Sequence, residues 1–136
     1  MEAVIAGWTA GYAMSILSTA ALVFLFVKMP DMGAVRRWFP DMSPTLLAVP
    51  ASIGTMFAWT MAGIVIASVY DVLELRNQSS FLGAPSAPFL IAMGALGLMP
   101  LPVLLLVARR YWWLWCGMSF VFVGLFGWFM PIAAER

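Results

Sequence analysis

The chain has 136 residues, 64% of them hydrophobic and 10% charged, with a net charge of +1 and a mean hydropathy of +0.98. A soluble domain is about 45–50% apolar and about a quarter charged, and a chain this short cannot bury so large an apolar excess. The solvent for most side chains is therefore lipid, and nothing in the charge balance suggests a nucleic-acid partner. Histidine is absent and Cys116 is the sole cysteine. That composition rules out His-ligated haem, His-based metal sites, Ser-His or Cys-His catalytic units, and intrachain disulfides.

About 20 apolar residues rising 1.5 Å each cross a hydrocarbon layer of about 30 Å. Four uncharged stretches meet this requirement, and continuous apolar runs without strict alternation form helices in lipid. The predicted fold is all-α: a polytopic membrane protein, one domain over residues 1–136, with four transmembrane helices and short loops. The first span is predicted over 3–27. Glu2 and the length of the apolar run argue for a retained helix rather than a cleaved leader.

On this helix Gly7, Gly11 and Ser15 fall four apart, in the same row as Ala3 and Thr19. Residues four apart share a helix face, and small side chains let two backbones approach closely in lipid. Such a row is expected to meet another helix, most readily one of this chain. The loop that follows repeats Pro30-Asp31-Met32 as Pro40-Asp41-Met42 and encloses Arg36, Arg37, Trp38 and Phe39. Those residues form a basic and aromatic patch suited to anionic headgroups, expected to anchor the membrane surface.

The second span is predicted over 45–70, with a weaker row of small residues at Gly54, Ala58 and Ala62. Asp71 and Glu74 close it. If the helix ran on to Leu75 both carboxylates would share one face, although a solvated helix end is the expectation. Asn77-Gln78-Ser79 is a sequon expected to be accidental. The third span is predicted over 87–108 and contains Pro100 and Pro102, which must kink or unwind it, since each ring removes an N–H and crowds the preceding turn. Arg109 and Arg110 end it as further surface anchors. The fourth span, 112–132, sets Gly117 and Gly124 as packing positions among bulky aromatics.

With four spans, Lys28, Arg36, Arg37, Arg109 and Arg110 lie on one side and only Arg76 and Arg136 on the other. Five against two places loops 28–44 and 109–111 in the cytoplasm and both termini outside. No Asp, Glu, Lys or Arg falls within a predicted hydrocarbon segment, which removes the usual marks of proton-coupled or ion-exchanging function.

The expectation is a non-catalytic accessory or scaffold subunit of a larger integral membrane complex (respiratory, photosynthetic or transport). Its partners are membrane lipids and other transmembrane subunits. It carries no catalytic, metal or cofactor site, although lipid, quinone or pigment contacts remain open. The alternative is a small four-helix channel or transporter working as a homo-oligomer. That reading requires hydroxyl-bearing side chains to converge on one wet path.

Overall fold

A computed structural model describes residues 2–28, 41–75, 79–102 and 109–135, with the side chains of Pro44 and Thr45 left undescribed. The chain is all-α. Helix α1 (Glu2–Lys28) is followed by α2 (Pro44–Val72) and the shorter α3 (Ala87–Leu98). A 3-10 turn (Arg109–Tyr111) then leads into α4 (Trp112–Phe122), which runs through a π-helical stretch (Val123–Phe129) into α5 (Met130–Ala134).

Among the described residues, three helical segments are long and apolar enough to cross a membrane: Glu2–Lys28, Leu46–Val72 and the composite Arg109–Ala134. The apolar α3 is shorter than its predicted span. Together they make an integral, multi-pass membrane protein. The anchor residues Arg36, Arg37 and Trp38 lie outside the described residues, as does Asn77.

The helix ends follow local chemistry. Ser43 is the N-cap of α2, accepting from the Leu46 N–H through its Oγ at 3.3 Å, and Pro44 occupies the first turn, where a missing N–H costs nothing. Pro50 sits within α2, which continues through it. The helix closes at Val72, capped by the Leu73 N–H on the carbonyls of Val69 and Asp71, and Glu74 takes a positive φ of 48°. Asp71 and Glu74 therefore do not share a helical face; both are exposed around the helix end.

Helix α3 starts with Pro88 in its first turn and stops at Leu98, two residues ahead of Pro100, whose nitrogen cannot continue the hydrogen-bond ladder. Leu101 and Pro102 resume helical geometry. Between α2 and α3 a tight turn pairs Phe81 with Ala84 (N···O 3.2 and 2.9 Å), with Leu82 and Gly83 both at positive φ (52° and 77°). The Trp128 indole N–H donates to the Leu82 carbonyl at 2.9 Å, which ties this turn to the π-helical stretch.

Helix α1 is the central element. It packs along α2 on one side and along α5, the π stretch and α4 on the other, while α3 leans on the π stretch. The buried core gathers Ala3, Ala6, Ala10 and Met14 of α1 with Ala67 and Tyr70 of α2, Phe89 and Met93 of α3, and Phe122, Phe126, Met130 and Ala134 of the last helix. Tyr70 meets Phe89 edge-on with ring centroids 4.8 Å apart, and Trp59 stacks on Phe126 at 6.3 Å. These are favourable offset and edge-to-face geometries.

Candidate functional site

The seam between α1 and α2 is built at backbone level. A Cβ on Gly7 would lie 3.0 Å from the Gly63 carbonyl carbon and closer still to its oxygen; a Cβ on Gly11 would lie 3.1 Å from Thr60 Cα and against the Trp59 carbonyl. Gly63 answers in kind, since its Cβ would be 3.0 Å from the Gly7 carbonyl carbon and 3.1 Å from Gly11 Cα. Ser15 continues this face of α1, buried, with its hydroxyl donating to the Tyr12 carbonyl at 2.6 Å.

Of the other residues singled out by spacing, Gly54 and Ala58 lie on the exposed side of α2, and nothing approaches the Cβ position of Gly54. The α2 residue that faces α1 is instead Gly63, in a row with Trp59 and Ala67. Gly117 is exposed and Gly124 half-buried, both with open space where a Cβ would sit. Gly97 and Gly127 are the closely packed glycines between α3 and the last helix, against Phe122 and Val123 in one case and Leu90 in the other. Pro100 and Pro102 are exposed beyond the end of α3, and Arg109 and Arg110 are exposed in the 3-10 turn.

Polar side chains inside the helices are mostly satisfied by their own backbone. Thr9, Ser52, Thr55, Thr60 and Ser68 each donate to the carbonyl four residues back, at 2.6–2.8 Å. Ser18 and Ser86 differ: their Oγ atoms are buried and have no hydrogen-bond partner among the described residues. Comparison with protein-family models, with curated proteins and with solved structures found no match.

The two ends of the bundle differ in polarity and packing. At one end the fully buried Tyr70 directs its hydroxyl to Glu135 Oε1 at 3.2 Å, beside Phe89. At the other, Phe24 of α1 meets Tyr111 and Trp113 edge-on at 5.7 and 5.9 Å, which puts the Lys28 end of α1 at the same end of the bundle as the 3-10 turn holding Arg109 and Arg110.

Two apolar recesses open in this second half of the molecule. One, of about 260 Å³, lies among α1, α2, the end of α3 and α4 and is lined by α1 residues from Met14 to Leu25, by Trp59, by Leu96, Gly97 and Pro100, and by Trp115 to Phe122. The other lies between α1 and α4 and shares Ala21 and Met118 with the first. On the outside of the α1–α2 seam, Tyr12, Ser15, Thr19 and Ser52 line a shallow groove. No cluster of metal-ligating side chains occurs among the described residues.

Proposed function

We propose that this chain is a non-catalytic accessory or scaffold subunit of a larger integral membrane complex, of the respiratory, photosynthetic or transport class. The observation that carries this reading is how the helices use their polar groups. The hydroxyls of Thr9, Ser15, Ser52, Thr55, Thr60 and Ser68 are bound to carbonyls of their own helix, while the glycine seam commits one face of α2 to α1 and leaves Ile53, Phe57 and Val65 exposed on others. Helices of this kind associate by close packing. Among the described residues, no Asp, Glu, Lys or Arg lies between Glu2 and Lys28 of α1 or between Leu46 and Tyr70 of α2, and charged groups are what transport and catalysis use in lipid.

In the same reading the chain crosses four times, with both termini outside and the loops around 28–44 and 109–111 in the cytoplasm. The placement of Lys28 at the same end of the bundle as Arg109 and Arg110 supports that arrangement, because it gathers positive charge there. Extraction in mild detergent followed by native mass spectrometry is expected to recover the chain with larger membrane subunits. A lone monomer, or a closed homo-oligomer that conducts ions in liposomes, would overturn the proposal.

One observation favours the second reading, a homo-oligomeric channel or carrier. The groove of Tyr12, Ser15, Thr19 and Ser52 puts four hydroxyls on one outer surface, where symmetry-related copies would line a common path. That reading requires Tyr12→Phe and Thr19→Val to suppress conduction.

A further inference from the structure

We infer that the recess among α1, α2, α3 and α4 is a binding site for a neutral, membrane-soluble molecule: a flat ring carrying a carbonyl, such as the head of a quinone. Its volume of about 260 Å³ exceeds the roughly 150 Å³ of an apolar cavity that accepts benzene. The wall is apolar and aromatic, with Trp59, Trp115 and Phe122 supplying ring faces and edges, and it contains no charged side chain. A flat uncharged ring is the occupant this wall complements. Water is a poor one, since a buried water needs two to four polar partners.

Ser18 supplies the specific contact. It stands in the wall of the recess, only 7% exposed, and its hydroxyl has no partner among the described residues. Its neighbours Thr9 and Ser15 on the same helix donate to backbone carbonyls. A buried hydroxyl without a partner is costly in an apolar setting, and a ligand carbonyl is the acceptor that removes the cost.

Both departures from regular helix border the same place. Pro100, where α3 has stopped, is part of the wall, and the π stretch begins at Val123, next to the wall residue Phe122. Irregular turns of this kind are often found at functional sites. The inference is independent of the subunit proposal, because a lone protein could hold the same ligand.

The test uses the full chain in phosphatidylcholine nanodiscs, titrated with a short-chain alkyl benzoquinone while tryptophan fluorescence is followed. Trp59 and Trp115 should give a saturable quenching component above the linear collisional one. Ser18→Ala should weaken its apparent affinity about fivefold, the loss of one hydrogen bond. Ala21→Phe, which projects a ring from the wall into the recess, should abolish it while leaving helicity unchanged by circular dichroism.

Purely linear quenching of the native chain would overturn the inference. So would equal saturable quenching in the Ala21→Phe variant, or an unaltered affinity for Ser18→Ala, a substitution too small to unfold the bundle. A brominated-chain phosphatidylcholine provides the last arm. If Ala21→Phe blocks quenching by that lipid while the benzoquinone never saturates, the occupant is an acyl chain and the ring assignment falls.

Discussion

The half of the bundle that holds the start of α1, the end of α2 and α5 differs from the half that holds Lys28 and the 3-10 turn. In the first, α1 presents Ala3, Ala6, Gly7, Ala10 and Gly11, all buried, and both neighbouring helices close onto it. In the second, α1 presents Ser18, Ala21, Leu22 and Leu25, and two recesses separate parts of it from α4 and α3. Both stretches of α1 are apolar and both are helical, so hydrophobicity does not account for the contrast. Geometry does. Small residues four apart on α1 meet a matching glycine on α2 in the closed half, whereas α3 ends before Pro100 and large aromatics prop the open half apart. Since lipid tails are as apolar as leucine, packing quality rather than burial from water sets stability here.

The largest expected effect tests the closed half directly. A leucine at Gly7, Gly11 or Gly63 would drive its Cβ into backbone atoms, which cannot rotate away. Each substitution should cost about 3 kcal/mol or more, the upper end of overpacking penalties, measured as unfolding free energy in bicelles. Gly54→Leu is the matched control, with open space at its Cβ position, and should stay within about 0.5 kcal/mol of the native chain. If Gly54→Leu proved as damaging as Gly63→Leu, the seam would not be where the tight packing resides.

Much of this half was legible in the sequence, because a row of small residues at a spacing of four specifies a helix face whatever lies opposite. Its counterpart was not: Gly63 and Ala67, themselves a small-xxx-small pair, carry the contact, while Gly54 and Ala58 of the row read in α2 are exposed and Ala62 is half-buried. Spacing identifies faces but not register, and register is settled only by the way two surfaces fit. Helix content was equally legible from apolar runs, and Pro100 marked an interruption of α3. The π-helical stretch was not, since nothing in the residue pattern of Val123–Phe129 sets it apart from the regular helix on either side. The recess was invisible for the same reason: Ser18, Trp59 and Trp115 are far apart in sequence and ordinary one at a time.

An intermediate effect compares the halves through one residue type on one helix. Ala6 and Ala21 are almost equally buried, at 6% and 8% exposure, yet Ala6 belongs to the closed core end of α1 and Ala21 borders both recesses. Leucine at Ala6 should cost about 2 kcal/mol by overpacking. Leucine at Ala21 has space to fill and should change stability by less than about 1 kcal/mol in either direction. Equal losses at both positions would mean that the open half is as tightly packed as the closed one in the membrane, and the contrast would disappear.

The smallest effect asks whether a polar latch, rather than packing, holds the closed end. Tyr70 is fully buried and donates to Glu135 Oε1 at 3.2 Å, while Glu135 itself is exposed. That separation is long for a hydroxyl donor, and removing the hydroxyl leaves the carboxylate oxygens of the exposed Glu135 free to meet water. Tyr70→Phe should therefore cost only about 0.5–1 kcal/mol, because the ring keeps its contact with Phe89. A loss of about 3 kcal/mol on the same bicelle measurement would reverse the ranking. The end of the bundle would then be held by one hydrogen bond across its last turn, and the glycine seam would only align helices that Tyr70 and Glu135 keep together.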